Sequence, residues 1–484
     1  MKTNALSLLA LTGALFLMTA CASEETNSKQ EQAQKPDTKG LTAFTVDGGA
    51  TRTTAEYDGS GLNFYWTEGD RLWVNNGTLI QDNSNNITEM LINSTTPGGV
   101  KRAAKARFYF SGTYTAHSYP VRYTGKGSTA GNKVTIKAQQ SQALPNDAAH
   151  ISTDGDCGTG TAVNSGGGYN FTLDHKASYV TFMPYNALGV IDKAKITKIK
   201  VTADKPIAGT FSFDDNGINT ASPLNPSNTI ELTPNSSSAT DFTIPATPTA
   251  TVNATTMVIA PGTYHTFTIE YTLYDNTTNK GGTISKTYNN ITFTAGRNKR
   301  VTVDLKIKEY RSLDNYGFWH YDPRLPNINE MFYYVFNGDP HWDNGLWAYY
   351  GSLHRGGIWL KKLAVIYNDL KAAGYTQLNS QGDMKYRYYS SASDATGRNI
   401  EQTWFSNTPG VLASTPPANT SDYFHLPALG GTGYPSDSHG YYWTSSSSPY
   451  GGGADVAFLG FTSSSVGVAS NYKHAVWFIF QPFE

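Results

Sequence analysis

The chain has 484 residues, too many for one ordinary hydrophobic core, so two or three domains are expected. Lys and Arg number 37 against 38 Asp and Glu, a balance that lacks the basic footprint nucleic acid demands. Its two cysteines, Cys21 and Cys157, exclude a disulfide framework and a Cys-based zinc cluster, while abundant Gly, Ser, Thr, Asn and Tyr suit short strands joined by polar turns.

Residues 1–21 read as a targeting segment. Lys2 precedes a mostly apolar run from Ala5 to Met18, which is too short to cross a hydrocarbon layer of about 30 Å but suits a signal-peptide core. Met18-Thr19-Ala20-Cys21 then resembles a lipobox, with Met where Leu is usual, and the resemblance implies lipid attachment at Cys21. Ser23-Glu24-Glu25 is similar to the acidic export signal of surface lipoproteins in Bacteroides-like bacteria, and reads equally as a solvated tether. The implied location is the outer membrane, facing outward. Multiple acyl chains on one cysteine anchor firmly, since each buried methylene adds about 0.8 kcal/mol. Residues 22–40 contain no aromatic or branched aliphatic side chain and read as a flexible tether.

From 41 to 308 the signal is alternation with period two, as in Leu41–Val46, Phe267–Tyr274 and Val301–Ile307. Thr210–Phe213 runs into Asp214-Asp215-Asn216-Gly217, a hairpin turn rather than a calcium loop, because the twelve-residue ligand spacing is missing. No long helix is expected in this half. Many short strands divided by turn clusters predict two antiparallel β-sandwich subdomains, over 41–178 and 179–308.

Three segments in this half stand out: Thr51-Arg52-Thr53-Thr54 with Phe64–Arg71, which includes the W-x-E-G-D turn Trp66-Thr67-Glu68-Gly69-Asp70; Phe171–Ala177, an F-x-L-x-H segment; and Phe293–Arg300, a turn leading into a strand. In this order they resemble the opening, the second-sandwich start and the closing turn of fimbrillin-like proteins of Bacteroidales. The resemblance implies assembly by strand exchange. A trypsin-like protease would cut after Arg52 and release Leu41–Val46 with the anchor, and a stalk or adaptor pilin would then fill the groove. Equally, Arg52 reads as an ordinary loop arginine beside a strand that stays in place.

Aromatic residues mark a boundary near 308–312. Seven of nine tryptophans fall beyond it. Helices are expected over Asn327–Asn337 and Trp359–Ala373, then strands near Tyr423–Ala428, Gly440–Ser446, Val456–Phe461 and Ala475–Phe480. Asn329–Asn344, Tyr423–Ala428 and Gly440–Ser446 together resemble the lectin-like C-terminal domain of some Bacteroidales pilins. That resemblance implies an α+β fold related to C-type lectins over 312–484. A final strand apolar on both faces, Val476–Phe480, is expected to stay buried in its own domain, so that the subunit accepts a strand without offering one, as at a fibre tip.

No GxSxG, HExxH, P-loop or GxGxxG pattern occurs, and no enzyme, cofactor or metal is expected. The Trp-Asp-Asn of 342–344 resembles a calcium motif of C-type lectins, but it lies early in the domain and lacks a Glu-Pro-Asn or Gln-Pro-Asp partner. Trp342, Asp343, Asn344, Trp347, Tyr349 and Tyr350 are the candidates for a recognition surface toward a host or bacterial glycan or protein, or else pack into a loop-rich core. A pilus subunit and a non-polymerising, lipid-anchored binding protein both fit this sequence.

Overall fold

The structure, a computed structural model, describes residues 37–46, 54–93, 101–310, 321–402, 410, 412–431, 436–447, 455–472 and 483–484. It is mainly β. Cys21, Arg52 and the strand expected at 475–480 lie outside the described residues.

In the front sheet, β1 (Thr42–Val46), β2 (Ala106–Phe110), β3 (Ser118–Tyr123), β4 (Gly158–Asn164) and β5 (Tyr169–Asn170) lie in the order β3-β4-β5-β1-β2. Trp73–Asn75 and Leu79–Gln81 extend the sheet beyond β3, and Ser84–Asn85 extends it beyond β2. Pleating sends Phe44, Val46, Phe108, Phe110 and Val121 into one core. The W-x-E-G-D turn is a lock on that core. Trp66 is fully buried, and the Asp70 carboxylate accepts the Thr67 amide at 2.7 Å and the Tyr123 hydroxyl at 2.8 Å.

The middle region contains β6 (Ser178–Tyr185), β7 (Ile191–Ala203), β8 (Gly262–Asp275), β9 (Lys280–Phe293) and β10 (Asn298–Asp304). One sheet runs Gln139–Gln142, Thr229–Pro234, β7, β8, β9; another runs Thr255–Ile259, β6, β10. Their core holds Phe182, Ile199, Val201 and Tyr271, and it also takes in Ala55, Phe64, Val134 and Ile136. This core draws residues from both sides of position 178. The expected hairpin forms, joining Ala208–Asp214 to Gly217–Ser227. The F-x-L-x-H segment carries the chain between the cores: His175 stacks on Phe64 with ring centroids 3.8 Å apart, and its Nδ1 lies 2.8 Å from Asp156.

Pairing is mixed, which corrects the expectation of antiparallel sheets. β1 runs parallel to β5, β6 to β10, and Gln139–Gln142 to Thr229–Pro234. Alternation records which face a residue shows, and that pattern is the same for both directions of pairing. Direction is set by which distant segments meet, because parallel neighbours need a long crossover.

The C-terminal region comprises β11 (Glu309–Tyr310), α1 (Ile328–Asn337), β12 (His341–Tyr349), β13 (Ser352–Lys361), α2 (Leu363–Ala372), β14 (Tyr423–Pro427), β15 (His439–Ser447), β16 (Asp455–Thr462) and β17 (Val466–Tyr472). They form the sheets β11-β12-β13-β14 and β15-β16-β17. A capping box opens α1: Asn327 accepts the Glu330 amide at 3.0 Å, and Glu330 accepts the Asn327 amide at 2.8 Å. Helix α2 starts later than its apolar stripe suggests. Trp359, Leu360 and Lys361 complete β13, paired with His425, Phe424 and Tyr423, and a backbone committed to that ladder cannot coil. Phe483 packs against Tyr334 and Phe424, and Glu484 accepts the Tyr334 hydroxyl at 2.7 Å and the Leu363 amide at 2.6 Å. The middle and C-terminal regions share a seam, where the Leu353 amide donates to Asp275 at 2.8 Å and Ala348 and Leu353 enter the middle core.

Candidate functional site

Two places can do chemistry of recognition: the slot around β1, and a cavity at the seam.

β1 leads the described sheet in sequence, yet it lies inside that sheet. It pairs antiparallel with β2 from Thr42 to Val46 and parallel with β5 at Phe44 and Thr45. Phe44 is fully buried. Its ring stacks on Tyr169 at 4.7 Å and meets Phe110 and Tyr114 edge-on at 5.0 and 5.2 Å. Gly168 lets the backbones approach, since a Cβ there would lie 2.6 Å from the Ala43 carbonyl oxygen. The segment leading into β1 is exposed at Asp37, Lys39 and Gly40, with the Leu41 amide donating to the Thr38 carbonyl at 3.1 Å. Withdrawing β1 would leave unpaired backbone on both β2 and β5, with an aromatic pocket between them.

The six residues marked in the sequence do not form one surface. Trp342 and Trp347 are buried, at 5% and 1% exposure, which removes them as exposed stacking platforms. Trp347 donates to the Gly356 carbonyl at 2.7 Å and stacks on His354. Trp342 donates to Asn344 at 3.0 Å, and Asn344 itself faces solvent. Tyr349 and Tyr350 sit at the other end of β12, beside the middle region, where the Tyr350 carbonyl accepts from Lys193 at 3.0 Å. The cause is an irregularity in register between Asp343 and Leu346, which breaks the alternation on which a single face depends.

Asp343 instead faces a cavity of about 390 Å³ that also involves Lys306, Lys308, Tyr310, Trp359 and His425. The order β11-β12-β13-β14 gathers these residues from one end of the region to the other. Asp343 accepts the Trp359 indole N–H at 2.9 Å and the Gly345 amide at 2.7 Å. The Tyr310 hydroxyl lies 3.4 Å from His425 Nδ1, the Trp359 and His425 rings are 4.9 Å apart, and the Lys308 ammonium sits 4.7 Å above the Tyr310 ring. Burial lowers the His425 pKa to about 4, with Asp343 opposing that shift and Lys308 adding to it. Burial also lowers the Lys308 pKa and raises that of Tyr310. Sequence reasoning missed Tyr310, Trp359 and His425 as site residues; Trp359 was assigned to a helix, and no local pattern links the three. Among the described residues, no group of three or more His, Cys, Asp and Glu side chains could hold a metal, and no helix is long and apolar enough to cross a membrane.

No family model and no curated protein matches the chain. Among solved structures it is similar to a candidate cell adhesion protein of Bacteroides ovatus, at 12% identity and TM-score 0.32, covering 55% of this chain and 93% of that one. A candidate cell adhesion protein of Bacteroides fragilis matches at 10% identity and TM-score 0.28, covering 54% and 92%. A fimbrial protein of Bacteroides ovatus matches at 11% identity and TM-score 0.24, covering 90% and 98%. Likenesses at these scores do not establish a family.

Proposed function

We propose that this chain is a surface lipoprotein acting in cell adhesion as a tip or minor fimbrial subunit, assembled when proteolysis frees its first strand. The observation that carries this reading is the position of β1, which is short, first among the described strands, and plugged between β2 and β5 through Phe44. A donor strand with a large apolar residue at that register would restore both ladders and the pocket, which is how strand addition gains affinity. Arg52 follows β1 closely in sequence, and Cys21 precedes it, so a cut after Arg52 would part the anchor and β1 from the remainder. Retention of the opposite end in its own domain is supported by Phe483 and Glu484, both held against Tyr334. The front and middle regions serve as β-sandwich scaffolds in this reading, and the C-terminal region as the lectin-like, non-catalytic binding part.

The test is to treat the full chain with a trypsin-like protease, sequence the new N-terminus and add a stalk pilin or donor-strand peptide. Cleavage after Arg52 followed by stable uptake of the donor is expected. If β1 stays in place and no donor enters, the second reading takes over: a lipid-anchored protein that binds a surface glycan or protein without polymerising. The seam cavity favours that reading, because it needs no rearrangement of β1.

A further inference from the structure

We propose that the seam cavity between β11, β12, β13 and β14 binds an acidic monosaccharide residue, a pyranose ring carrying a carboxylate. The proposal takes ligand recognition by the C-terminal region from the adhesion reading, and needs no strand exchange.

The unpaired lysines mark where a charged group of the ligand would sit. Lys306 and Lys308 face the cavity, and among the described residues neither has a carboxylate within ion-pair distance. The acids that line it are already engaged: Asp343 by the Trp359 indole and the Gly345 amide, Glu484 by the Tyr334 hydroxyl and the Leu363 amide. His425 is neutral near pH 7, since burial holds its pKa near 4. Asp343 and Glu484 keep their charge and balance the two lysines overall, but the ammonium groups, paired with neither acid, offer a local place for a ligand's anionic group.

Shape and surface set the remainder of the ligand. About 390 Å³ lies within the roughly 300–1,000 Å³ of small-molecule sites, too roomy for an inorganic ion alone. Trp359 is partly exposed and stands beside His425, so an aromatic wall faces the cavity next to the ammonium groups. The apolar C–H face of a pyranose stacks on such a wall while its carboxylate reaches Lys308 and its hydroxyls reach Asp343. The wall is held in place. A Cβ on Gly357 would lie 2.3 Å from His425 Nε2, so glycine at 357 makes room for the imidazole.

The test uses the full-length protein, with β1 in place, and follows tryptophan emission and calorimetry during titration. D-glucuronate is the probe. D-glucose is the same ring without the carboxylate, and acetate and sulfate are anions without the ring. Saturable glucuronate binding is expected, with glucose weaker by about tenfold or more and acetate and sulfate weaker still. Lys308→Gln should weaken glucuronate by about tenfold while leaving the melting temperature unchanged, and the exposed Asn344→Ala should leave binding intact. Equal binding of glucose, equal binding of acetate or sulfate, no saturable binding, or an indifferent Lys308→Gln would each overturn the proposal. Failure here together with donor-strand uptake would leave the assembly reading standing, and the opposite pair of results would do the reverse.

Discussion

β1 and the β8–β9 hairpin are both strands in a β-rich molecule, but they are held in different ways. β8 and β9 pair from Gly262–Phe293 to Asp275–Lys280 and are covalently consecutive, so neither can leave without dismantling the middle core. β1 is five residues long, enters through an exposed segment, and contributes two fully buried apolar side chains, Phe44 and Val46. At about 1.5–3 kcal/mol for each large side chain buried, the two contribute about 3–6 kcal/mol, at the lower edge of the 5–15 kcal/mol that keeps a typical domain folded, and that hold is concentrated in one short strand. A central place in a sheet therefore does not make a strand permanent. What matters is whether its neighbours are joined to it in sequence.

The largest expected effect breaks that comparison directly. Phe44→Ala should cost about 3–5 kcal/mol, read as a lowered melting temperature of the front region, and deleting residues 37–46 should cost more. A peptide of sequence Leu41–Val46 should restore the deleted protein, while the same peptide carrying Phe44→Ala should not. Ile199→Ala in β7 should cost about 2–5 kcal/mol, and no β7 peptide should restore it. If both peptides rescue, or neither does, the distinction between plug and scaffold fails.

Acid should next strike the C-terminal region through His425. Its folded pKa, about 4, lies below the ordinary histidine value of 6.5, so the unfolded chain binds a proton that the folded chain refuses. Stability is full above pH 6.5 and falls as pH drops toward 4, by up to about 3 kcal/mol. His425→Gln should flatten that part of a denaturation profile, and an unchanged slope would count against burial of the imidazole.

Gly168→Ala sharpens the account of the β1 slot. With β1 present, the new methyl meets the Ala43 carbonyl and should cost about 1–3 kcal/mol. In the protein lacking residues 37–46 the cost should vanish, and a cost that persists would place the strain elsewhere. The smallest effect belongs to Tyr350, 54% exposed with φ +46°, in the tight turn between β12 and β13. Tyr350→Asn should leave stability unchanged or raise it by up to about 1 kcal/mol in a thermal melt, because Asn tolerates this left-handed backbone.

Much of this was legible in the chain itself. Alternation marked β1 and β8, since which face a side chain shows is a local property of a pleated strand, and the Asn216-Gly217 turn marked the hairpin. The helix expected over Asn327–Asn337 forms as α1, with a capping box of Asn327 and Glu330 at its start. Other features depend on partners far away in sequence. Parallel pairing of β1 with β5, the burial of Trp342 and Trp347, and the assignment of Trp359 to a strand were settled by tertiary neighbours.

The seam cavity lies at the far end of that scale. Tyr310, Asp343, Trp359 and His425 carry no shared spacing, and they meet only because four strands from separate parts of the C-terminal region line up side by side. The amino-acid order by itself determined most strands and turns, because backbone preference and side-chain periodicity act over a few residues. Only the folded chain decided which strands became neighbours, and with them the slot around Phe44 and the charge and shape of the cavity.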